Sequence, residues 1–582
     1  MNMRSVEYVQ TLKPIDMPDG YEVLNSGRAI GNKIEMNKNK FLEKSGYPTY
    51  LDYKKDMMRQ GKPIWLILLG LATLEEQVDG IKKIYEFSQR TGLQIDTILN
   101  IPSFLVALPK EYRDKAPKPT SYVMETLEDY EAHCCVPMQI LFCDQVLSCP
   151  NSLETTINAV KCGSARVGFL SQFIWGQPGF TDHRQHVIDL VKSIGIVSSK
   201  TDQGIGVDTY LDDGFPGYAM DCVTYVGYAL LDHYIVHELC GADHQIAYGG
   251  LLSEGIPRCA VGLALHKLLS TEDHPIISYF NSSTVEQWDH DIVANYGPSL
   301  QEILLESLMN KKYGMCGTIN PVSITEKVEV PTLQDLLDIF SAGAKMLTHL
   351  EDWEGLMDWT KLEEMADFLV EEGKLFFENT LAVCEAAGIN TKDPLEMLMM
   401  LKSLNPSKFE ATFHHRTDEA GMVQVQVPTV LGRQTLAMKD DVKEDLLKRG
   451  IATDALKGKR VVVVSGDGHA YGVVLVENLL SELGAEVVNG GVDIVPSVAL
   501  DLADEEGIDY IGISVHIGQG LDYAKQIKEL ADLRNKDYKI FMGGKLNAIL
   551  PGDSEPSDVT ELINETGILA ADDIYDAIQM MM

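Results

Sequence analysis

The stretch KRVVVVSGDGHAYG, residues 459–472, decides the fold of the carboxyl-terminal part of the chain. Its run of valines predicts a strand that is buried on both faces, and SGDGHAYG predicts the loop in which this strand ends. The next segment, VVLVENLLSELG, predicts a helix that ends at Gly484, as many helices end at glycine. A buried strand that leads into a helix is the first half of a βαβ unit.

The rest of the carboxyl-terminal part repeats this alternation. EVVNGG (486–491), DYIGISVHIGQG (509–520) and YKIFMGG (538–544) predict further strands, and ILAADDIYDAIQMM (568–581) predicts a last strand and helix. Strands in such units run parallel, so residues 457–582 are predicted to form a doubly wound, flavodoxin-like domain that folds alone. Its ligand is expected at the carboxyl ends of the strands.

The loop after the first of these strands contains a candidate metal ligand. In Asp467-Gly468-His469-Ala470-Tyr471-Gly472, one imidazole nitrogen of His469 is free to bind a metal ion while the other donates to a carboxylate. Asp467 is placed to be that acceptor, which would fix the tautomer and make the ligand more basic. The alternative is a helix-capping Asp beside an incidental His.

Small residues also follow the third and fourth strands of this domain. Ser514-Val515-His516-Ile517-Gly518-Gln519-Gly520 ends the third strand, and Met542-Gly543-Gly544 ends the fourth. Small side chains at adjacent strand ends leave a cleft in which a long ligand tail can lie against the backbone.

These three motifs resemble the cobalamin-binding domain of mutases and methyltransferases, and the run GISVHIGQG is most similar to the small subunit of glutamate mutase. The resemblance implies that His469 replaces the lower base of cobalamin on cobalt. One departure is His516, where the family usually has Leu. The resemblance implies that the cofactor is held by Ser465, Asp467, Gly468, His469, Gly472, Ser514, His516, Gly518, Gly520, Gly543 and Gly544.

Upstream, residues 62–390 alternate short apolar strands with amphipathic helices, which predicts a (β/α)8 (TIM) barrel. An open doubly wound sheet is the alternative. Residues 1–61 are interpreted as an N-terminal extension and 391–456 as a connector. The predicted strands are Pro63–Gly70, Gln94–Ile101, Pro137–Cys143, Arg166–Ser171, Ile205–Leu211, His244–Gly250, Pro275–Asn281 and Tyr313–Ile319.

Three stretches of this upstream part resemble the catalytic subunit of glutamate mutase, in the same order along the chain. They are VPMQILFCDQVLSCPNSLETTINAVKCGSARVGFLS (136–171), NPVSITEKVEVPT (320–332) and NPSKFEATFHHR (405–416). The resemblance implies that Glu326 binds the ribose hydroxyls of an adenosyl group. The alternative for Glu326 is a surface carboxylate that caps a helix.

The departures from glutamate mutase bear on the substrate. Leu141-Phe142 stands where that family has an Arg-His pair, and Gly168 aligns near the Glu that receives the substrate amino group. A pocket without these groups is expected to hold an unaminated carboxylate. Arg166 is the first candidate for gripping it, because a guanidinium matches both carboxylate oxygens. Arg258 follows, Arg184 is less favoured, and a surface ion pair is the alternative for each.

Together the resemblances imply an adenosylcobalamin-dependent carbon-skeleton mutase, an isomerase. Its one-chain layout is most similar to 2-methyleneglutarate mutase, so the small dicarboxylate 2-methyleneglutarate, rearranged to 3-methylitaconate, is the expected substrate. The cofactor would supply a radical by Co–C homolysis, and the protein would position the substrate and exclude water. The alternatives are a corrinoid methyltransferase or methyl carrier, a one-chain glutamate mutase, and a non-catalytic cobalamin sensor.

Composition limits the partners. A net charge of −37 argues against nucleic acid and anionic membranes, which both demand a basic surface. The ten cysteines include no CxxC pair and are expected to be free thiols. The start MNMRSVEYVQ has no signal-peptide pattern. We therefore expect a cytoplasmic protein. We also expect a homo-oligomer.

Overall fold

The computed structural model describes two compact units. The first comprises Met1–Leu404 with Glu410–Val430, and the second comprises Asn405–Phe409 with Leu431–Met582. The residues described are 3–582 apart from 115, 117–120, 178–179, 251, 253, 272–287, 289, 327, 329–330, 419–421, 450–451, 453, 468–470, 493, 516–518, 549, 551–556 and 572. The four segments predicted from the sequence (1–61, 62–390, 391–456 and 457–582) stay predictions.

The chain begins with four helices, and helices and strands then alternate in the elements up to residue 413. The helices are α1 Met3–Thr11, α2 Gly20–Gly31, α3 Lys40–Ser45, α4 Tyr50–Arg59, α5 Leu74–Thr91, α6 Lys110–Arg113, α7 Leu127–His133, α8 Ser152–Lys161, α9 His183–Ser198, α10 Cys222–His233, α11 Gly255–Leu269, α12 Ile292–Tyr313, α13 Leu333–Met346, α14 Leu350–Glu354, α15 Thr360–Ala386, α16 Pro394–Ser403 and α17 Phe409–Phe413. The strands are β1 Ile64–Leu69, β2 Thr97–Asn100, β3 Gln139–Leu141, β4 Arg166–Val167, β5 Gly206–Tyr210, β6 Asp243–Ala247 and β7 Thr318–Ile319.

The elements after residue 429 follow the same alternation. The helices are α18 Val430–Lys448, α19 Tyr471–Glu482, α20 Pro496–Glu505, α21 Gly520–Arg534, α22 Thr560–Glu565 and α23 Ile574–Met581. The strands are β8 Arg460–Ser465, β9 Glu486–Gly491, β10 Tyr510–Val515, β11 Lys539–Gly544, β12 Asn547–Ala548, β13 Ser557–Asp558 and β14 Leu569–Ala570. Within the described ranges, every helix is too short or too polar to cross a bilayer.

The strands of the first unit pair in parallel and in sequence order. One sheet has the order β3-β2-β1-β7, and a second has the order β4-β5-β6. A parallel bridge between Phe142 and Val167 joins the end of β3 to β4. The order from β1 to β6 is therefore continuous, with β7 on the other side of β1. Parallel strands joined by helices are the α/β arrangement that the alternating sequence predicted.

The predicted strands differ from the observed ones mainly at their ends. The predicted strand Arg166–Ser171 is shorter, because the chain turns into a 3-10 helix at Leu170. The predicted strand Tyr313–Ile319 is reduced to β7, because Tyr313 is the last residue of α12. The seventh predicted strand, Pro275–Asn281, lies outside the described residues.

Helix α4 lies against the amino-terminal ends of the strands. Its Tyr50 hydroxyl is 2.5 Å from the hydroxyl of Thr97, the first residue of β2. Its Lys54 ammonium donates to the side chain of Gln245 in β6, and the thiol of Cys316 donates to the Lys54 carbonyl. The segment interpreted from sequence as an N-terminal extension thus contributes a helix to the packing of the first unit.

The second unit contains a parallel sheet covered on both faces. The strand order is β14-β11-β10-β8-β9, which is the flavodoxin-like order. Val462 and Val464 of β8 pack with α20 and α21, whereas Val461 and Val463 pack with α19 and α23. The run of valines therefore has no solvent-facing side, as its uninterrupted apolar pattern predicted.

Helix α18 belongs to the core of this second unit although it precedes the predicted boundary at Lys457. Leu446 of α18 is fully buried in the same cluster as Val461 and Val463. We expect a fragment of residues 457–582 to be about 2–5 kcal/mol less stable than a fragment of residues 431–582, because it lacks this contact. Thermal unfolding of the two fragments measures the difference, with Leu446→Ala in the longer fragment as the matched variant. Equal stabilities would contradict the role of α18.

Candidate functional site

Three of the predicted cofactor-binding residues lie side by side at one edge of the second sheet. Ser514 of β10 is paired in register with Ser465 of β8 on one side and with Gly543 of β11 on the other. All three stand at the carboxyl ends of their strands. This is the edge of a doubly wound sheet at which ligands bind, and these three described residues are small.

The loop after β8 is held by a network around Ser465. The Ser465 hydroxyl donates to the Asp467 carboxylate at 3.3 Å and accepts from the Asp467 amide at 3.3 Å. The Gly466 amide donates to the Ser514 carbonyl at 2.9 Å. Asp467 is 2% exposed. The buried carboxylate therefore stands at the root of the loop, two residues before His469.

Gly544 and Gly543 shape the neighbouring strand end. Gly544 has φ +107°, and a Cβ added there would lie 2.2 Å from the Val515 carbonyl oxygen, so a larger residue would force the strands apart. A Cβ at Gly543 would meet only the Ala571 carbonyl oxygen, at 3.5 Å. The space beside Gly543 is thus open, as the predicted cleft requires.

The other predicted residues of this site divide into two groups. Gly472 lies in the first turn of α19, and Gly520 is the first residue of α21. Both helices begin at the ligand edge of the sheet, where their amide groups favour anionic groups. Gly468, His469, His516 and Gly518 lie outside the described residues.

Arg166, the first candidate for a substrate contact, opens β4 and so lies at the amino-terminal edge of its sheet. It is 2% exposed, and its Nη1 is 2.8 Å from the Asp243 carboxylate at the start of β6. In a parallel α/β sheet the substrate side is the carboxyl edge. The ion pair suits a structural role for Arg166. A position at the amino-terminal edge does not favour the predicted substrate contact, which stays a prediction.

The two other arginines considered from the sequence also have partners. Arg258 is buried on α11, and its Nη2 lies 2.7 Å from the Glu306 carboxylate of α12. Arg184 on α9 donates to the Asp16 carbonyl. Neither interaction involves a strand end.

Glu326, the predicted ribose-binding residue, lies in the loop after the carboxyl end of β7. Its side chain is exposed to solvent, yet burial by the surrounding protein raises the pKa of its carboxyl to about 7. Its role in binding stays a prediction.

The structure also places together three residues that were not singled out from the sequence. Gln172 follows β4, and its side-chain amide donates to Asp144, which follows β3, at 2.6 Å, and to Asp213, which follows β5, at 3.1 Å. The available signal was an Asp directly after two predicted strands, in LFCDQ and YLDDG. These loops form a second candidate site, at the carboxyl edge of the first unit.

Comparison with known proteins bears on the second unit. Residues 459–562 match the family model of the B12 binding domain. A search of curated proteins finds no match to this chain. One solved structure that is similar is a novel cobalamin-binding protein from Desulfitobacterium hafniense DCB-2, at 17% identity over 24% of this chain and 75% of that chain, with a TM-score of 0.18. The family match supports a cobalamin cofactor for this protein.

Proposed function

We propose that this protein is an adenosylcobalamin-dependent carbon-skeleton mutase, in which the second unit binds the cofactor and the first binds the substrate. The observation that carries the proposal is the B12-binding segment at 459–562 on one chain with a parallel α/β unit. The same segment would also serve a corrinoid methyltransferase or methyl carrier. The parallel unit favours an enzyme over a methyl carrier, because a carrier needs no second α/β sheet of its own.

The residues of the second unit fit a cobalamin. Ser465, Ser514 and Gly543 place small residues at the carboxyl ends of three adjacent strands. The open space at Gly543 suits a ligand tail that lies against the backbone. We propose His469 as the cobalt ligand and Asp467 as its hydrogen-bond acceptor. When bound, adenosylcobalamin supplies the radical chemistry, and the protein supplies position and shielding from water.

We further propose that the first unit closes into a (β/α)8 barrel. The order β7-β1-β2-β3-β4-β5-β6 is that of such a barrel with one strand position left, and the predicted strand Pro275–Asn281 would fill it. Ile64 and Leu66 of β1 also share one buried cluster with Ala247 of β6. Side chains of two strands so far apart in the sheet order meet when a sheet curls on itself.

The dicarboxylate expected from the sequence receives no support from the described residues. Arg166 and Arg258 each form an ion pair with a carboxylate of the protein, and Arg166 lies at the amino-terminal edge of its sheet. We therefore propose the mutase class without carrying this substrate forward.

The test is cofactor-dependent radical formation. We expect the purified protein, loaded with adenosylcobalamin under anaerobic conditions, to show a Co(II) electron paramagnetic resonance signal only when a substrate is present. The candidates are 2-methyleneglutarate, glutamate and a panel of small amines, with rearranged product followed by NMR. Transfer of a methyl group from methylcobalamin to an added thiol, without any substrate-dependent radical, would identify a methyl carrier instead.

A further inference from the structure

The carboxyl ends of the first unit's strands, with the loops that follow them, carry side chains whose chemistry bears on the substrate, an inference that rests on the proposed function; we call this region the recess. Leu68 of β1, Ile101 after β2 and Tyr210 of β5 are only partly buried, although they pack on the same core cluster. The apolar floor of the recess is therefore accessible from the carboxyl edge. The loops after β3, β4 and β5 bring polar groups to its rim.

The rim carries two carboxyl groups that share one donor. The side-chain nitrogen of Gln172 donates to both Asp144 and Asp213, so the two carboxyl groups are neighbours. Other contacts hold Gln172 and its loop in place. The Gln145 amide donates to the Gln172 side-chain oxygen at 3.3 Å, and the Lys402 ammonium donates to the carbonyls of Phe173 and Trp175 at 2.7 Å. Two carboxylates with a single shared neutral donor attract a cation.

Two buried polar side chains, one between β2 and β3 and one directly after β7, lack a hydrogen-bond partner among the described residues. The Tyr122 hydroxyl lies within electrostatic range of Asp144, and the side chain is 2% exposed. Asn320 follows β7 and is fully buried with neither side-chain atom bonded. By strand alternation it lies on the same face as Thr318, which is in register with Ile64 of the core. Buried groups of this kind are usually satisfied, so both are available to a polar ligand.

Cations beside these loops, including Lys402, already have hydrogen-bond or ion-pair partners. Lys110 is 3.6 Å from the Glu154 carboxylate, and Arg113 donates from Nε to the Leu108 carbonyl. A dicarboxylate bound here would have to face the carboxylates of Asp144 and Asp213. We propose that the recess binds the ammonium group of an amine substrate between the carboxylates of Asp144 and Asp213, with Tyr122 and Asn320 available for its other polar groups.

The ionisation of the two carboxyl groups agrees with this assignment. Burial raises the pKa of Asp144 to about 6, and burial with the neighbouring Asp144 charge raises the pKa of Asp213 to about 8. An ammonium group between them lowers both pKa values and displaces a proton. Amine binding should therefore strengthen as the pH rises through these values. A carboxylate ligand would behave in the opposite way, because it prefers the protonated form of Asp213.

The experiment measures binding and needs no turnover. The full-length protein with cobalamin bound is titrated calorimetrically with n-butylammonium and, separately, with glutarate, at about pH 6.5 and about pH 8.5. We expect n-butylammonium to bind about tenfold more tightly at the higher pH. We expect Asp213→Asn to weaken its binding at the higher pH about tenfold and to remove the pH dependence. Asp144→Asn should also weaken n-butylammonium binding, and it replaces Asp213→Asn as the test if that variant does not fold.

The matched control is Asp202→Asn, which changes an exposed aspartate on the amino-terminal side of β5 and should leave binding unchanged. Tighter binding of glutarate than of n-butylammonium, with glutarate favoured at low pH, would overturn the proposal. Unchanged n-butylammonium binding in both folded variants, or its displacement by Mg²⁺ alone, would also overturn it. Amine binding without any substrate-dependent radical would contradict the mutase and leave this site standing. Radical turnover of a dicarboxylate would contradict this amine site and leave the mutase standing.

Discussion

Replacing His469 by alanine should leave the purified protein almost free of cobalamin. His469 is the proposed cobalt ligand, and it follows a strand whose end is fixed by the network of Ser465 and the buried Asp467. Loss of a partner of a metal ligand alone costs about 10–100-fold in affinity, so loss of the ligand itself should cost at least about 100-fold. Cobalamin retained after gel filtration is the measurement.

Two further variants distinguish the loss of the cobalt ligand from the loss of its hydrogen-bond partner and from an unrelated change. Asp467→Asn should weaken binding less than His469→Ala does. His349→Ala changes an exposed histidine of the first unit and should have no effect. In wild-type protein with ¹⁵N-labelled histidine, the Co(II) signal should carry the splitting of one histidine nitrogen. A spectrum without it, or a His469→Ala protein that retains its full cobalamin, would exclude this residue as the ligand.

Replacing Arg166 by methionine should destabilise the first unit by about 3–5 kcal/mol, because it leaves the mostly buried Asp243 carboxylate without its ion-pair partner. The packing is tight here, since a Cβ at Gly206 would lie 2.1 Å from Arg166 Nη1. All five tryptophans of the chain lie in the first unit, so urea unfolding followed by tryptophan fluorescence reports this unit alone. Cobalamin retained by the second unit should not change.

The control for this prediction is Lys83→Met, which breaks the exposed pair of Lys83 and Asp79 and should leave the stability of the first unit nearly unchanged. Replacing both members, as in Arg166→Met with Asp243→Leu, should restore part of the lost stability because no buried charge remains unpaired. An Arg166→Met protein of unchanged stability that fails to act on a substrate would instead support the substrate contact expected from the sequence.

The predictable parts of the fold are those fixed by local pattern. The run of valines in β8 predicts a strand, and the glycine after the next helix predicts where that helix ends. Neither prediction needs information about the rest of the fold. Arg166 shows the limit of such patterns. The predicted strand Arg166–Ser171 suggested only that an arginine stands near a strand end, whereas β4 places it at the amino-terminal edge, beside Asp243. Which end of a strand a residue occupies depends on the bounds of that strand.

One candidate site could be predicted from local sequence patterns, and the other could not. Ser465, Ser514 and Gly543 were found because each closes a strand of one sheet whose strand order the alternating pattern implies. Asp144 and Asp213 are 69 positions apart and meet only through Gln172 of the loop between them. Their shared hydrogen-bond donor is a property of tertiary structure. No single sequence motif contains both carboxyl groups.

The second unit is assembled from two stretches of chain, and this limits how the gene can be divided. Asn405–Phe409 belong to it, whereas Glu410–Val430, which come later, belong to the first unit. Within the second unit, the Asn405 side chain donates to the Asn489 carbonyl at 3.1 Å. A cut after Val430 would give two polypeptides, and the shorter would lack Asn405. The shorter polypeptide would fold without that hydrogen bond unless the two chains, made together, re-form it between them.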